Sequence, residues 1–369
     1  MNIPFVDLKA QYKSIQSEMD AAIANVINET AFIGGKYVNE FEEKFAELYG
    51  VKHVISCANG TDSLYIIMKM LGIGNGDEVV TVANSWISSS ETISQTGAKP
   101  VFVDIDPIYY SMDENLLEQK ITSKTKALVL VHLLGQMCEM EKIKAICDKY
   151  NIYIIEDCAQ SHFSEYKGTR AGVTGIAGSF SFYPGKNLGA YGDAGCIITN
   201  DDDLAIKCKM FARHGALKKH QHLMEGINSR LDGLQAAVLQ TKLPYILKWT
   251  DQRITNAKYY DIALSSIENI VCPKVRPNTK HTYHLYVIRA QKRDLLAKYL
   301  KEKGIETAIH YPVPLPLMEA YKYLGCTMDD FPISVKYKNE ILSLPMYPEL
   351  TTAEIDYIAE TIKGFYSNI

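Results

Sequence analysis

The stretch that decides the fold is Ile152-Tyr153-Ile154-Ile155-Glu156-Asp157-Cys158-Ala159-Gln160, read together with Ser179-Phe180-Ser181-Phe182-Tyr183-Pro184-Gly185-Lys186-Asn187-Leu188-Gly189. The first segment predicts a buried strand, because its apolar residues run together and the run ends in a carboxylate. The second segment predicts another strand, followed by a Pro-Gly turn that projects one lysine. Strands that are apolar on both faces are typical of a parallel sheet covered by helices on each side.

Short β-rich runs alternate with helical stretches along the first two thirds of the chain. The β-rich runs cover residues 53–57, 78–82, 100–104, 126–132, 152–156, 178–182 and 195–199. The helical stretches include residues 13–29, 39–48, 62–71, 86–96, 113–120, 139–150 and 201–213. This alternation predicts an α/β fold with three layers and a mostly parallel seven-stranded sheet. In such sheets ligands bind at the carboxyl ends of strands, where Asp157 and Lys186 fall.

The last third of the chain predicts a second, smaller α+β domain. Residues 232–265 have a helical pattern, and residues 271–278 resemble a loop. Beyond them we expect a strand at 283–289, a helix at 292–303, a strand at 305–309 and three more helical stretches. We therefore divide the chain into a large domain of residues 1–245 and a C-terminal domain of residues 246–369.

Composition narrows the class of protein. The 369 residues carry a net charge of −4 and no long basic block, which argues against a nucleic-acid partner. The chain start lacks a signal-peptide pattern, and the apolar run Ala127–Leu134 is too short to span a bilayer. Eight cysteines without a CxxC pair favour reduced thiols in a cytoplasmic enzyme. His220, His222, His281 and His284 have no nearby cysteine or acidic ligand set, so we expect no metal site.

Asp157 and Lys186 together supply what pyridoxal phosphate (PLP) chemistry needs. The lysine can bind the PLP aldehyde as an imine, and the acid can keep the pyridine nitrogen protonated. A carboxylate at the end of a buried strand needs a partner, because an unpaired buried charge is costly. A structural salt bridge or a helix cap is the alternative for Asp157. A lysine in a Gly-rich turn is usually solvated, but the aromatic-rich strand before Lys186 favours a buried approach.

The segment Ala58–Leu64 follows a strand and opens a helix. A helix N-terminus offers free N–H groups and the positive end of the helix dipole, so a phosphate fits there. Gly60 allows close approach of the backbone, and Thr61 and Ser63 offer hydroxyl donors. A plain helix cap is the alternative, and Asp62 fits that alternative better. Trp86, just past a strand, could stack on a cofactor ring, although a lone tryptophan is more often a core residue.

These motifs in combination resemble the DegT/DnrJ/EryC1/StrS sugar aminotransferases, which are PLP enzymes of fold type I related to aspartate aminotransferase. The resemblance extends from Pro4 to the C-terminal helices. The motifs that carry it are Asn59–Leu64, Gly97–Asp104, Glu156–Gln160, Ser181–Gly189, Asn228–Asp232 and His310-Tyr311-Pro312.

The resemblance implies a role for each motif residue. Lys186 would bind PLP covalently and move protons, and Asp157 would pair with the ring nitrogen. Gln160 would bind the ring hydroxyl, Trp86 would stack on the ring, and the residues near Gly60 would hold the phosphate. Asn228 would reach the phosphate of the neighbouring subunit's cofactor, which implies a homodimer with shared active sites. The expected cofactor set is Gly60, Thr61, Ser63, Trp86, Asp157, Gln160, Ser181, Lys186 and Asn228, and the expected sugar-side set is Tyr183, His310 and Tyr311.

The resemblance also implies a two-stage transamination. L-Glutamate would give its amino group and leave as 2-oxoglutarate, and a nucleotide-linked keto-sugar would then receive the nitrogen. The motifs Tyr311–Leu315 and Ser343–Pro348 look more like relatives that aminate C3, so we expect a dTDP-3-keto-6-deoxyhexose. The product would serve deoxysugar biosynthesis for a cell-surface glycan, such as the O-antigen of lipopolysaccharide, or for a secondary metabolite.

Other readings stay open. A C4-specific or UDP-sugar aminotransferase of the same family is one alternative. A PLP-dependent sugar dehydratase is another, but those relatives resemble the family with histidine at the position of Lys186. A non-catalytic PLP-binding regulatory protein is the third.

The chain departs from the family pattern at positions that lie near the sugar site in relatives. Leu134 stands where many members have tyrosine, and Pro316 stands where members often have histidine. Gln160 is often followed by Ala-His-Gly, whereas this chain has Ser161-His162-Phe163. The sequence therefore specifies the PLP chemistry more closely than the sugar.

Overall fold

The computed structural model describes residues 1–367 of the chain. Its helices are Leu8–Ser14, Gln16–Asn28, Lys36–Tyr49, Gly60–Met70, Ser88–Thr96, Glu114–Leu117, Met140–Tyr150, Asp202–Phe211, Gly233–Lys242, Ile246–Leu264, Arg293–Glu302, Pro332–Tyr337 and Thr352–Ser367. Short 3-10 turns cover Glu118–Lys120, Leu133–Gly135, Leu243–Tyr245, Leu315–Leu317, Glu319–Leu324 and Met328–Asp330. No helix within residues 1–367 is long and apolar enough to cross a membrane.

A seven-stranded sheet forms the centre of the molecule. From one edge to the other its strands are His53–Cys57, Gly195–Thr199, Ala177–Ser181, Tyr153–Asp157, Thr125–Val131, Glu78–Val82 and Lys99–Val103. Gly195–Thr199 is antiparallel to both of its neighbours, and the other pairs are parallel. The predicted mostly parallel seven-stranded sheet is confirmed, and each predicted strand lies within one residue of its observed bounds.

Two hydrophobic cores lie on the two faces of this sheet. Along Thr125–Val131, Leu128 and Leu130 contribute to one core, whereas Ala127 and Val129 contribute to the other. This division follows from the alternation of side chains along a strand. Helices cover both cores, so the expected three-layer arrangement is confirmed. Because both faces of the sheet are covered, a ligand site has to lie at the ends of the strands.

A three-stranded antiparallel sheet organises the C-terminal part. It consists of Ile270–Val271, Tyr286–Ala290 and Ile341–Leu344, and a separate core packs beneath it. The long helix Ile246–Leu264 contributes Ile246 and Trp249 to the first core and Tyr260 and Leu264 to this one. The proposed domain boundary after residue 245 stays a prediction, and residues 368 and 369 of the proposed second domain lie outside the described residues.

Two further small sheets lie outside the main sheets, and two C-terminal segments differ from the sequence prediction. Ala216–Lys218 pairs with Gln221–His222, and Thr279–Lys280 pairs with Glu165–Tyr166, which also pairs with Thr169–Arg170. The predicted strand at 305–309 is wrong, because Ile305 and Ala308 form isolated bridges with Ile3 and Ser343. The strand Ile341–Leu344 was not predicted, since a four-residue segment with three apolar residues and one serine does not distinguish a strand from a buried helix turn.

Candidate active site

Asp157 is the last residue of the buried strand Tyr153–Asp157, and its side chain is 6% exposed. One carboxylate oxygen, Oδ1, accepts a hydrogen bond from the backbone N–H of Ala159 at 3.1 Å. The other, Oδ2, accepts one from the Ser89 hydroxyl at 3.1 Å. Burial raises the pKa of the Asp157 carboxyl, and these two hydrogen bonds work against that rise. The geometry therefore holds a desolvated acid in one orientation at the carboxyl edge of the sheet.

Lys186 lies five residues after the end of the strand Ala177–Ser181, in a tight turn, and is partly buried. Its backbone N–H donates to the carbonyl of Tyr183 at 2.8 Å. Gly189 closes the turn, because a Cβ at this position would lie 2.3 Å from the carbonyl oxygen of Pro184. The buried amine of Lys242 donates to the Gly189 carbonyl at 2.7 Å. This turn is thus closed by its own backbone hydrogen bond and held at Gly189, so Lys186 projects from a constrained backbone.

The acid and the lysine influence each other without forming a salt bridge. Burial lowers the pKa of Lys186 to about 8, and the charge of Asp157 works in the opposite direction. Within residues 1–367, Lys186 Nζ forms no hydrogen bond, and no ion pair within 4.0 Å joins it to Asp157. A substantial fraction of this amine is therefore neutral near pH 8, and the neutral amine is the form that attacks an aldehyde.

The helix Gly60–Met70 begins beside Ser181 with unused donors. The side chain of Asn59 caps the helix by accepting from the Asp62 N–H at 2.7 Å, so Asn59 provides the cap. The backbone N–H groups of Gly60 and Thr61 form no hydrogen bond within the described chain. A Cβ on Gly60 would lie 2.6 Å from Cβ of Ser181, so glycine is what allows the two segments to meet. Free N–H groups at a helix N-terminus suit an anion such as phosphate.

The two hydroxyls predicted in this loop have different surroundings. Thr61 Oγ1 lies 2.7 Å from Ser88 Oγ at the start of the next helix in the chain. Ser63 is fully buried, and its hydroxyl donates to the Gly60 carbonyl at 2.7 Å and contacts the Ser179 hydroxyl. The structure therefore brings Gly60, Thr61 and Ser181 together, whereas it places the Ser63 hydroxyl in the interior, where protein atoms already satisfy it.

Gln160 connects three parts of the site. Its Oε1 accepts from the backbone N–H of Leu134 at 2.8 Å, and its Nε2 donates to the Tyr311 hydroxyl at 2.8 Å. An amide nitrogen carries two protons, so one donor of Gln160 stays available. The ring of Tyr311 lies 6.0 Å from that of Trp86, and Trp86 is 60% exposed. Gln160 thus holds the predicted sugar-side tyrosine beside the predicted ring-stacking tryptophan.

Three histidines lie around Lys186, and only His310 was among the predicted site residues. The ring of His162 is fully buried between Phe180 and Phe182, and burial together with the Lys186 charge lowers its pKa to about 3. His284 Nδ1 lies 3.2 Å from the Asn187 side-chain oxygen. Burial and the Lys186 charge lower the pKa of His310 to about 4. These imidazoles are neutral near pH 7, so they leave Lys186 as the titrating base in its neighbourhood.

Two predicted residues face away from the buried part of this site. Tyr183 is 59% exposed, and Asn228 is exposed on the protein surface. The neighbour of Asn228, Ser229, is buried and accepts from the Ala58 N–H at 3.0 Å. Asn228 therefore lies on a segment attached to the predicted phosphate loop of its own chain, while its side chain points outward.

The family departures lie in the interior. Leu134 and Phe163 are 4% and 0% exposed, and Pro316 is buried in the turn Leu315–Leu317. Leu134 contributes to the site through its backbone N–H. The three side chains pack in the protein interior.

The residues present fit PLP. The buried acid, the partly neutral amine, the free donors of Gly60 and Thr61, and the unused Ser181 proton match the ring nitrogen, aldehyde and phosphate of that cofactor. Ser181 Oγ accepts from the Tyr183 N–H at 3.3 Å, which leaves its own proton to donate. The three chemical ends of the cofactor thus each have a complementary group in this structure.

Comparison with known proteins agrees with the sequence resemblance. The model of the DegT/DnrJ/EryC1/StrS aminotransferase family matches residues 13–363. Three relatives are each at least 41% identical over 98% or more of this chain and 99% of their own length. They are the pleiotropic regulatory protein of Geobacillus stearothermophilus (43%), dTDP-3-amino-3,6-dideoxy-alpha-D-galactopyranose transaminase of Aneurinibacillus thermoaerophilus (43%) and UDP-2-acetamido-2-deoxy-3-oxo-D-glucuronate aminotransferase of Pseudomonas aeruginosa (41%).

Solved structures give the same result. A crystal structure of S. venezuelae DesV in complex with a ketimine intermediate superimposes with a TM-score of 0.97 at 36% identity, over 100% of this chain and 99% of that one. NtdA of Bacillus subtilis with bound cofactor PMP superimposes with a TM-score of 0.88 at 28% identity, over 96% of this chain and 82% of that one. The expected fold and cofactor are confirmed.

Proposed function

Because the chain belongs to the DegT/DnrJ/EryC1/StrS aminotransferase family and is a PLP-dependent sugar aminotransferase, we propose that it transfers the amino group of L-glutamate to C3 of a dTDP-linked 3-keto-6-deoxyhexose. One observation supports transamination in particular. The amine of Lys186 is partly neutral, and it lies near the buried Asp157 without forming a salt bridge with it. Position C3 is supported by the names of two relatives, a 3-amino and a 3-oxo sugar enzyme.

Asp157, Gln160 and Lys186 each have a defined role in this proposal. PLP, when bound, supplies an electron sink for the carbon that loses its proton. Asp157 holds the ring nitrogen protonated, and Gln160 donates its remaining proton to the ring hydroxyl. Lys186 Nζ takes the proton from the α-carbon of glutamate and, in the second stage, returns a proton to the sugar carbon that receives the nitrogen. The products are 2-oxoglutarate and the amino sugar.

The phosphate and sugar ends use the remaining residues. We propose that Gly60, Thr61 and Ser181 bind the phosphate, and that Trp86 covers one face of the ring. Ser63 supports the loop from within, since its hydroxyl is already bonded to Gly60. The aromatic and imidazole groups of Tyr183, His310 and Tyr311 contact the sugar.

A homodimer with shared sites is also part of the proposal. Asn228 is exposed, and several large apolar side chains on the same protomer are exposed too, including Phe32, Ile33 and Leu223 at 44%, 56% and 75%. Contiguous exposed apolar side chains mark a surface that a partner covers. Ile33 forms a backbone bridge with Asp232, four residues beyond Asn228, which supports placing the partner on this side of the chain. We propose that Asn228 binds the phosphate in the partner's site, and that the dimer works in the cytoplasm, where the eight cysteines remain thiols.

A UDP-linked 3-keto-sugar is the second candidate substrate, because the Pseudomonas aeruginosa relative is a UDP-sugar enzyme at 41% identity. A regulatory role is the candidate from a different class, because the Geobacillus stearothermophilus relative has a regulatory name at 43% identity. The regulatory reading allows PLP binding but requires no turnover, so it differs from the enzymatic proposals in a measurable way.

The test uses the purified protein loaded with PLP. On mixing with L-glutamate, the visible band of the bound cofactor should disappear and 2-oxoglutarate should form. A panel of dTDP- and UDP-linked 3-keto and 4-keto sugars should then give one amino sugar, with NMR reporting the position of the nitrogen. Lys186→Ala should lose both stages, and Lys149→Ala, which removes an exposed lysine paired with Glu118, should lose neither. Turnover in Lys186→Ala, or an unchanged spectrum with glutamate, would contradict the proposal.

A further inference from the structure

Three consecutive serines open the helix Ser88–Thr96, and all are buried. Ser88, Ser89 and Ser90 are 8%, 1% and 0% exposed. Serine at a helix start usually caps the backbone or faces solvent. Here the hydroxyls of all three bond to side chains on other segments of the chain, so their burial has a purpose other than capping this helix.

Ser89 bonds to the acid of the site. Its hydroxyl donates to Asp157 Oδ2 at 3.1 Å, and it lies 2.9 Å from Ser85 Oγ. An ionised carboxylate can accept but not donate, so the Ser89 hydroxyl directs its proton to Asp157, and Ser85 donates to Ser89. The result is a directed chain of hydrogen bonds from Ser85 through Ser89 to Asp157.

A hydrogen bond received by a carboxylate favours its charged form, and the effect is larger where water is excluded. Asp157 is 6% exposed and receives a single side-chain hydrogen bond within the described residues, the one from Ser89. The other donor is the backbone N–H of Ala159, which holds Oδ1 while Ser89 holds Oδ2. The two donors together fix the rotation of the carboxylate and favour its charged form, and Ser89 is the one that a substitution can remove.

The neighbours of Ser89 attach this turn to two other parts of the site. Ser88 Oγ lies 2.7 Å from Thr61 Oγ1 in the phosphate loop. Ser90 Oγ lies 2.7 Å from the hydroxyl of Tyr321. Tyr321 belongs to the 3-10 turn Glu319–Leu324, which packs in a small apolar cluster downstream of Tyr311. Ser88, Ser89 and Ser90 thus connect the first turn of this helix to Thr61, Asp157 and Tyr321.

We propose that Ser89 is a positioning residue that orients Asp157 and keeps it charged, and that the Ser90–Tyr321 hydrogen bond fixes Ser89 for this task. The proposal rests on the proposed function in one respect, namely that Asp157 pairs with the ring nitrogen. It adds that the C-terminal segment, through Tyr321, contributes to the strength of that pairing.

The experiment compares Ser89→Ala, Ser89→Thr and Ser94→Ala. Ser94 lies on the same helix, but its hydroxyl faces Tyr323 at 3.3 Å, so its removal controls for changes in the helix. For each variant we would measure the dissociation constant of PLP from the apoenzyme and the pH at which the visible spectrum of the bound cofactor changes. Ser89→Ala should bind PLP about 10- to 100-fold more weakly, as expected for a lost hydrogen bond to a charged group. Its spectral transition should also occur at a different pH.

Ser89→Thr retains the hydroxyl and should restore the wild-type spectral transition, and Ser94→Ala should match wild type in both measurements. Wild-type PLP affinity and an unchanged spectral transition in Ser89→Ala would overturn the proposal. If Ser89→Ala fails to fold, Ser85→Ala replaces it. That change removes only the donor to Ser89, so it should shift both measurements in the same direction and by less, and no shift would overturn the proposal equally.

The link to Tyr321 has its own test. Tyr321→Phe should weaken PLP binding in the wild-type background but have little further effect in Ser89→Ala, because both changes act through the same carboxylate. Additive effects would overturn the link. None of these measurements needs a keto-sugar, so a wild-type enzyme that binds PLP but aminates no sugar would refute the proposed function while leaving the serine proposal intact.

Discussion

Replacing Glu156 with glutamine, which has nearly the same shape, should strongly lower the stability of the folded protein. Glu156 and His132 are both 0% exposed, and Oε2 of Glu156 lies 2.8 Å from Nε2 of His132. The same carboxylate accepts from the N–H groups of Gly172 and Gly175 at 2.8 and 2.6 Å. A glutamine must turn its NH2 group toward at least one of these donors, which leaves buried donors facing each other.

The magnitude follows from the burial of the pair. Breaking a buried ion pair by neutralising one partner costs about 3–5 kcal/mol. For a chain of this length the unfolding entropy converts that cost into a fall of roughly 4–6 °C in Tm. The matched control is Glu141→Gln, which breaks the exposed pair with Lys167 and should change Tm by about 1 °C or less.

The effect should also depend on pH. Burial alone would lower the pKa of His132, but hydrogen bonds with Cys138 and Glu156 outweigh it and raise the pKa to about 10. A folded-state pKa above the unfolded value means that the stabilisation is complete below about pH 6.5 and is lost as pH rises toward 10. The Tm difference between wild type and Glu156→Gln, measured by thermal unfolding with saturating PLP, should therefore shrink across this range. A difference below 1 °C at pH 6.5, or one that stays constant up to pH 10, would refute the reasoning.

Three further predictions concern the cofactor site. Gly60→Ala places a Cβ 2.6 Å from Cβ of Ser181, and typical overpacking costs indicate that PLP should bind roughly 10-fold more weakly. In the same fluorescence titration the control Gly74→Ala, whose nearest contact is 3.5 Å, should leave PLP binding unchanged. The rate at which PLP loads onto the apoenzyme should rise about tenfold per pH unit below pH 8 and level off above it, since burial lowers the pKa of Lys186 to about 8; a flat stopped-flow profile from pH 6.5 to 8.5 would be inconsistent with this. Mixing inactive Lys186→Ala with impaired Asn228→Asp should recover about a quarter of wild-type activity if each site takes its lysine and its asparagine from different chains, and should recover none if both come from one chain.

The elements that the sequence predicted best are those with long apolar runs. Thr125–Val131 and Tyr153–Asp157 were predicted to within a residue, because a strand buried on both faces has to be apolar throughout. Ile341–Leu344 was missed because it is short, contains a buried serine and is followed by Pro345. Its pairing with Tyr286–Ala290 across a long separation in sequence has no local signal.

The site divides in the same way between what is local and what is not. The positions of Asp157, Lys186 and Gly60 in the fold could be predicted because a strand end, a Pro-Gly turn and a helix start are local patterns, while their roles stay predictions. Ser63 was expected to face the phosphate, but its position in the helix turns its hydroxyl inward toward Ser179. Ser89 carried no signal, since a hydroxyl that bonds to a residue 68 positions away resembles any other serine in a Ser-rich helix start.

Burial acts on the pKa values of Asp157 and Lys186 in opposite directions, and the two groups form no salt bridge. Burial disfavours the charged form of each group, so it raises the pKa of Asp157 and lowers that of Lys186. The acid therefore needs a positively charged partner to stay ionised, whereas the neutral form of the amine needs no partner. A direct salt bridge would satisfy both groups at once, and it would hold Lys186 as an ammonium that cannot attack an aldehyde. The two segments meet at adjacent strand ends, and Ser89 and Ala159 donate to the carboxylate, so this arrangement suits the roles that we propose for the two groups. Burial at the carboxyl end of the sheet thus accounts for the lowered pKa of Lys186, and the charge of Asp157 only partly opposes it.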